Sequence, residues 1–281
     1  MLPSGNMSLI LNIDGRDYTP AQLDEMKAKG ETPYGCSMYI HDGVMEGSQH
    51  YLDDTVRKWV TDMTTGTTVE WREKVAREKV ARYADQQYWG KPIPSFGDPN
   101  ARLWLIGLAP AAHGGNRTGR MFTGDRSGDW LYRALYKFGF SNQPTSILRT
   151  DQLKLINCYI TASARCAPPL NKLLPKELEN CRPFLRREMS VLGATTPGMD
   201  RAVVIALGKI AFDTFLKTFR DLGGELPRPR PKFSHGVELR LSMKLTLMAS
   251  FHPSQQNTFT GKLTEPMFDQ VFKRAQELVL T

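Results

Sequence analysis

The chain has no apolar run near the ~20 residues that a membrane-crossing helix needs, so its sequence does not predict a membrane protein. Its N-terminus lacks the basic-then-apolar pattern of an export signal, and we expect an intracellular protein, in the cytoplasm or at the nucleoid. Four cysteines in 281 residues are too few for a disulfide framework. In a reducing compartment they are expected to be free thiols or metal ligands.

Three common catalytic motifs are also missing. Gly114 and Gly119 have the spacing of a phosphate-binding P-loop, but Arg120-Met121 stands where that loop needs Lys followed by Ser or Thr. No G-x-G-x-x-G is present, and the esterase-like His-Gly-Gly segment at 113–115 has no G-x-S-x-G nucleophile to serve. These absences disfavour a P-loop nucleotide hydrolase, a dinucleotide-dependent enzyme and an esterase.

The chain does have enough apolar material for a core, and a large excess of positive charge. Hydrophobic residues make up 41% of it, which suits one large domain or a domain with an appendage. The net charge is +8, yet residues 1–55 hold 3 Lys and Arg against 9 Asp and Glu, which leaves 34 against 20 in the remainder. A basic body favours a polyanionic partner, although charge alone equally fits a merely basic, water-soluble protein.

The pattern of residues divides the chain in two. Residues 1–66 are acidic and show only short patterns, strand-like at 9–13 and helix-like at 21–29, so we interpret them as an N-terminal extension of weak structure. A catalytic domain is predicted over residues 67–281, and it begins with a charged helix at 69–83.

From residue 102 onward, strand-like and helix-like segments alternate. Buried strands are predicted at 102–107, 155–162, 202–207 and 245–251. Helices are predicted at 127–138, 175–192, 209–222 and 264–280. This alternation predicts the α/β class, with a three-layer α/β/α sandwich around a mostly parallel four-stranded central sheet. The ligand site of such a sheet lies beyond the carboxyl ends of its strands.

The segment after the first strand combines small residues with two cations, an aromatic ring and a carboxylate. The small residues let backbone approach a ligand, and Arg117 and Arg120 can meet phosphates. Phe122 and Asp125 offer a stacking face and a water-positioning group within one turn. Asp125 is alternatively a charge at the N-terminus of the following helix.

Two other strand ends carry polar residues. Asn171 follows a rigid Pro-Pro turn after the second strand, and its amide can pair with a base edge or simply form a turn. His252 ends the last strand before Pro253, and it can hydrogen-bond a leaving group or serve a structural role.

Together these segments closely resemble the family 5 (type B) uracil-DNA glycosylases. The matching motifs are GLAPAAHGGNRTGR at 107–120, FTGD at 122–125, CAPPLN at 166–171 and HPSQQN at 252–257, with shorter matches at 71–73, 88–90 and 96–99. The resemblance implies an enzyme that flips uracil, and other deaminated bases such as hypoxanthine, out of DNA and hydrolyses the N-glycosidic bond, which initiates base excision repair. The partner implied is DNA, and a monomer is expected because no coiled-coil or repeat pattern appears.

The resemblance also implies roles for individual residues. Phe122 would stack on the flipped base, Asn171 would contact or place it, and His252 would donate to the base oxygen that gains charge. The pocket would be lined by backbone amides around Gly107, Ala109 and Ala111. A further segment would press into the duplex with Gln255 or Gln256 at its tip. It comprises Pro253, Ser254, Gln255, Gln256 and Asn257.

Asp125 is the implied water-orienting group. Better-known uracil-DNA glycosylases place an Asp or Asn in the first motif to position the attacking water, whereas Ala111 and Ala112 occupy that stretch here. The resemblance therefore implies that Asp125 is a catalytic residue and not only a helix cap. Its charge would also stabilise the cationic sugar.

The family further implies a [4Fe–4S] cluster on four cysteines. Cys166 and Cys181 match the later two ligands, but Asp62 and Thr65 replace the earlier pair, so a standard site cannot be assembled from the matched positions. Cys36 could supply one ligand, and the remaining cysteine lies in a predicted strand, where it is expected in the core. We therefore doubt the cluster and expect the extension to brace this region in its absence.

Two alternatives to this enzyme stay open. One is a homologue that binds uracil or damage in DNA with little or no turnover, and the other is a nucleotide hydrolase on the same sheet. The missing P-loop disfavours the second. The presence of all four site residues favours the enzyme over the first.

Overall fold

Four apolar strands form the centre of the structure. The computed structural model describes residues 11–13, 16–18, 67–98, 100–194 and 202–280. The strands β4 (Leu103–Gly107), β5 (Cys158–Ala162), β6 (Ala202–Leu207) and β8 (Leu245–Ser250) are parallel and lie in the order β5-β4-β6-β8. Every residue of β4 and β5 is buried, because helices cover both faces of the sheet. The four predicted strands and the predicted layering are confirmed.

Two short antiparallel strands extend this sheet to six, which corrects the predicted number. They are β3 (Phe96–Gly97), which pairs with β5, and β7 (Glu238–Arg240), which pairs with β8. Neither is fully buried, and each has only two or three residues. Such edge strands lack the apolar run by which the central strands are recognised in the sequence.

The helices cover the sheet in two layers. Their bounds are α1 Thr67–Glu78, α2 Gly115–Thr118, α3 Arg126–Lys137, α4 Pro175–Ala194, α5 Lys209–Asp221, α6 Gln255–Phe259 and α7 Glu265–Leu280. Helices α3 and α7 pack on one face, where Leu131 and Phe272 belong to the same hydrophobic cluster as Leu105. Helices α4 and α5 pack on the other, where Leu185 and Phe215 meet the opposite face of β4. Among the described helices, none is long and apolar enough to cross a membrane.

Only a small part of the predicted extension is described. Strands β1 (Leu11–Ile13) and β2 (Arg16–Tyr18) pair as an antiparallel hairpin. The helix-like segment at 21–29, Cys36, Asp62 and Thr65 lie outside the described residues. The division of the chain at residue 66 therefore stays a prediction. The helix predicted at 69–83 is α1 followed by a separate 3₁₀ turn at Ala81–Tyr83.

A buried ion pair ties α4 to the end of β5. The Arg165 guanidinium lies 2.6 Å from the Glu188 carboxylate, which also accepts hydrogen bonds from Tyr159 at 2.9 Å and Thr161 at 2.7 Å. Ser95 donates to the same carboxylate. Both partners of the pair are buried, so the carboxylate depends on these donors in place of water.

Replacing Glu188 should therefore destabilise the fold strongly. In Glu188→Ala the buried Arg165 guanidinium loses its carboxylate, and we expect a loss of about 3–5 kcal/mol in the free energy of unfolding. Urea denaturation followed by circular dichroism measures it. The control is Glu265→Ala, whose carboxylate is 57% exposed beside Arg133, and which should change stability by about 1 kcal/mol or less. Equal effects of the two substitutions would contradict the assignment.

Candidate active site

The missing side chain at Gly107 makes room for an aromatic ring over the end of β4. A Cβ at this position would lie 2.9 Å from Cζ of Phe122, so only glycine accommodates the ring there. Phe122 itself has a left-handed backbone with φ 52°. Its ring stacks on His252 with 6.0 Å between the ring centroids and 28° between their planes. The structure thus brings together a strand end, a phenyl ring and an imidazole.

His252 is held by its backbone, and its ring is left available. Its carbonyl accepts hydrogen bonds from the Asn257 amide and from the Ser254 N–H, each at 2.8 Å. No described residue hydrogen-bonds the imidazole. Burial lowers the pKa of His252 to about 4, so the ring is neutral near pH 7. A neutral imidazole can still donate one hydrogen bond to a ligand.

Asp125 is the N-cap of α3. Its Oδ1 accepts a hydrogen bond from the Gly128 N–H at 3.0 Å, so the capping interpretation is confirmed. The other oxygen lies against the loop after β4, where a Cβ on Gly114 would come 2.0 Å from Oδ2. Burial raises the pKa of Asp125 above its usual range. A capping role does not exclude a chemical one, because one oxygen serves the helix and the other faces the glycine-rich loop.

The loop after β4 presents a row of backbone donors. Its start is anchored to the neighbouring strand, because the Gly107 and Leu108 carbonyls accept from the N–H groups of Ser163 and Ala164, each at 2.9 Å. Beyond this anchor, several N–H groups find no hydrogen-bond acceptor among the described residues. They belong to Ala109, Ala111, Ala112 and His113. Unpaired donors at the edge of a sheet are suited to bind an acceptor on a ligand.

Asn171 lies on an exposed turn in the segment after β5. It ends the 3₁₀ turn Pro169–Asn171 with φ 57°, and none of the described residues hydrogen-bonds its side-chain amide. The structure shows no contact between Asn171 and Phe122, Asp125 or His252.

The neighbouring Leu170 was missed by sequence reasoning. It is 80% exposed and has φ 52°, an uncommon conformation for a bulky residue. An apolar residue between a proline and an asparagine gives no sign of this exposure. The exposure depends on the backbone dihedral of Leu170, which the sequence does not specify.

The predicted phosphate contacts of Arg117 do not fit its position. The side chain is buried, with a relative exposure of 5%. Its guanidinium donates to the Gln86 side chain at 2.7 Å and to the carbonyls of His113 and Gly124, and it lies over the Tyr83 ring. Arg117 therefore connects the motif at 107–120 to the FTGD motif at 122–125 from inside the protein.

Arg120 is likewise internal. It is 4% exposed, and its Nη2 lies 2.8 Å from both carboxylate oxygens of Asp151, with further hydrogen bonds from the guanidinium to Ser146 and Thr123. Neither guanidinium is presented at the surface, where a phosphate contact needs it. The Gln86 side chain binds Arg117 and the Asp151 carboxylate binds Arg120, and neither of these distant partners can be read from the motif.

The segment after His252 forms helix α6. Ser254 caps this helix, Pro253 is buried, and Asn257 holds the His252 carbonyl. Gln255 and Gln256 are exposed at its first turn. Only the two glutamines therefore present their side chains at the surface as the predicted tip requires.

The cysteines do not fit a four-thiolate cluster. Cys181 in α4 lies beside Cys166, whose sulfur accepts a hydrogen bond from Arg72 at 2.8 Å. Cys158 packs in the core on the opposite face of the sheet, beside Tyr132 of α3. Its strand separates it from the other two, so Cys36 is the one further cysteine that the chain could bring to them. Three thiolates are fewer than the four that such a cluster takes.

Comparison with known proteins agrees with this arrangement. The family model of the uracil DNA glycosylase superfamily matches residues 94–276. Over 210 residues, 75% of this chain and of the relative, the chain is 47% identical to a type-5 uracil-DNA glycosylase of Mycobacterium bovis. It is 44% identical to the type-5 enzyme of Thermus thermophilus over 75% of this chain and 90% of the relative. The enzyme of Pyrobaculum aerophilum is 41% identical over 80% of this chain and 92% of the relative.

The family match spans all six strands of the central sheet and includes Phe122, Asp125, Asn171 and His252. It leaves out the hairpin of β1 and β2 and the helix α1. The sheet, the site at its strand ends and these matches show that the chain belongs to the uracil DNA glycosylase superfamily.

Proposed function

We propose that this protein removes uracil from DNA by hydrolysing the bond between the base and its sugar. The observation that carries the proposal is the stack of Phe122 and a neutral His252 over Gly107, with the Asp125 carboxylate three residues after Phe122 in the chain. The names of its relatives, type-5 uracil-DNA glycosylases, support the same substrate.

The groups around Phe122 suit a departing base. An everted pyrimidine would lie against the phenyl ring, and negative charge would develop on its oxygen as the bond breaks. The neutral His252 imidazole and the unpaired N–H groups of Ala109 and Ala111 are donors that can stabilise this charge. They lose no hydrogen bond to another described residue in doing so, and preorganised donors of this kind stabilise a transition state effectively.

Asp125 suits the sugar side of the reaction. The sugar becomes electron-poor as the base leaves, and a nearby carboxylate opposes its positive charge while accepting a hydrogen bond from the attacking water. Partial burial of Asp125 strengthens this electrostatic interaction, since little water screens it. The same burial disfavours the carboxylate in the free enzyme, which is the cause of its raised pKa.

Replacing Asp125 by asparagine should abolish most activity without loss of stability. Asparagine caps a helix as well as aspartate does, and the change removes a charge that burial disfavours. We expect the single-turnover rate of uracil release to fall by about 10²–10⁴-fold, with DNA affinity retained. Alkaline cleavage of a uracil-containing oligonucleotide at the abasic site measures the rate. Asp129→Asn, in the exposed first turn of the same helix, is the matched control.

The pH profile gives an independent check on Asp125. Because the reactive form is ionised and its pKa is raised, activity of the parent should decline on acidification already above the usual range of an aspartate. His252 stays neutral until about pH 4, so it does not cause this decline. Asp125→Asn should lack the acidic limb. Equal rates for Asp125→Asn and parent would show that the role is misassigned, and uracil binding without release by the parent would favour the binding homologue.

We further propose that DNA contacts the exposed residues around this site. Gln255 and Gln256 project beside His252, and Leu170 projects beside Asn171. An apolar side chain at such a place can fill the gap that an everted base leaves in the stack. The strained backbone of Leu170 agrees with a functional reason for its exposure.

Leu170→Ala should therefore weaken action on duplex DNA. We expect KM for a uracil-containing duplex to rise by about threefold to tenfold, since truncation removes the group that offsets unstacking. Single-stranded substrate should show no such change, because it has no stack to restore. Met243→Ala is the control, since Met243 is 82% exposed between β7 and β8, at the amino end of β8. An equal rise for both substrates, or for both variants, would contradict the proposal.

For the cofactor, we propose that the chain does not carry a four-cysteine [4Fe–4S] cluster. The position of Cys158 on the far side of the sheet supports this, together with Asp62 and Thr65 at the family's ligand positions. Direct hydrogen bonds attach α1 to the domain, because Glu177 accepts from the Thr68 N–H at 3.1 Å and Asn116 donates to the Arg72 carbonyl at 3.0 Å.

Protein purified without oxygen should contain no stoichiometric iron and show no visible iron–sulfur absorbance. Iron and acid-labile sulfide assays measure this directly, with a type-5 relative purified in parallel as the control. Stoichiometric iron that disappears in Cys36→Ser would contradict the proposal and identify Cys36 as a ligand.

Three finer points are proposals. The resemblance supports release of hypoxanthine as well as uracil. The lack of coiled-coil and repeat patterns supports a monomer, and the lack of an export-signal pattern supports a place inside the cell. Base-release assays across a panel of deaminated bases and light scattering of the purified protein test the first two.

A further inference from the structure

We propose that His235 is a positioning residue for His252, a role that rests on the proposed function of this site. His235 lies in the segment between α5 and β7 and contacts the chain where β8 ends. It is partly buried and belongs to none of the motifs that identify the site in the sequence.

Contacts with three residues define the place of the His235 ring. Its Nδ1 accepts a hydrogen bond from the Phe251 N–H at 3.1 Å and lies 3.4 Å from the Ser250 hydroxyl. Its Nε2 lies 3.2 Å from the Met267 carbonyl in the first turn of α7. The ring also stacks on Phe251, with 5.1 Å between centroids and 25° between planes.

These partners require one form of the imidazole. A backbone N–H can only donate, so Nδ1 must carry no proton, and a carbonyl can only accept, so Nε2 must carry one. The neutral ring with its proton on Nε2 satisfies both requirements. Burial lowers the pKa of His235, which agrees with a neutral ring.

The hydrogen bond to Phe251 lies just beyond the end of β8, where the chain leaves the sheet. Strand β8 ends at Ser250, so the Phe251 N–H falls outside the ladder and takes His235 as its acceptor. His252 is the next residue, and its carbonyl side is already fixed by Asn257 and Ser254. His235 therefore fixes the N-terminal side of the same residue and links it to α7.

Loss of this bond should misplace the imidazole against Phe122. Catalysis depends steeply on such placement, since a displacement of about 1 Å can cost about 10²-fold in rate. Among the described residues His235 hydrogen-bonds Ser250, Phe251 and Met267, and none of these is proposed above to contact DNA. The expected signature is a reduced rate of base release with nearly unchanged affinity for DNA.

Two amide substitutions separate the two hydrogen bonds. In His235→Asn the side-chain oxygen can take the place of Nδ1 and accept from Phe251, whereas the bond to Met267 is lost. In His235→Gln the side-chain amide can take the place of Nε2 and donate to Met267, whereas the bond to Phe251 is lost. His235→Leu loses both. Each amide variant keeps one hydrogen bond and loses the other, so the two variants remove the same number of hydrogen bonds from the fold.

The test measures single-turnover uracil release, DNA affinity and exchange of the Phe251 amide proton by NMR in all three variants and the parent. We expect His235→Asn to keep its rate within about threefold of the parent, and His235→Gln and His235→Leu to lose about 10–10²-fold. Affinity should stay within about twofold in every variant. The Phe251 amide should be protected in the parent and His235→Asn only.

Other outcomes overturn the proposal. A His235→Gln enzyme more active than His235→Asn would show that the link to α7, and not the bond to Phe251, is what matters. Equal losses in both amide variants would show a merely structural role. A parent that releases no uracil would refute the proposed function instead, and the exchange of the Phe251 amide would still decide whether His235 holds this backbone.

Discussion

The site depends on one packing constraint, the contact between the bare backbone of Gly107 and the Phe122 ring. Because no side chain leaves the end of β4, the ring can cover the strand and stack on His252. The ring is held there by a left-handed backbone at Phe122 and by a second glycine, since a Cβ on Gly128 would come 1.9 Å from the Phe122 carbonyl oxygen. The glycines thus fix an aromatic surface beside the imidazole.

Asp125 shows how one carboxylate serves both the fold and the reaction. As the cap of α3 it satisfies a backbone donor and is positioned by the helix. The close approach of Gly114 keeps its second oxygen against the loop that carries the unpaired N–H groups. Burial makes this charge costly in the free protein, as its raised pKa records, and the same burial strengthens its action on a cationic sugar. Burial of the Asp125 charge therefore lowers the stability of the fold while it favours catalysis.

Charge in this protein is divided between internal supports and outer surface. Arg117, Arg120 and Arg165 are all buried and bind protein carbonyls or carboxylates, so they hold loops in place at the site edge. A count of basic residues overstates what is available to DNA, because a buried guanidinium releases no counterions from a phosphate backbone. The net positive charge of residues 56–281 therefore indicates a polyanionic partner only after these internally paired arginines are subtracted.

The order of strands and helices, the edge of the sheet that carries the site and the resemblance to a known family could all be predicted from the sequence. They depend on local periodicity and on contiguous motifs, which a single sequence records. The tertiary structure decided which side chains face inward, so it buried the two motif arginines, exposed Leu170, placed Cys158 across the sheet from the other cysteines and brought His235 to Phe251. Each of these depends on contacts between residues far apart in the chain or on a backbone dihedral, and neither leaves a periodic signal in the sequence.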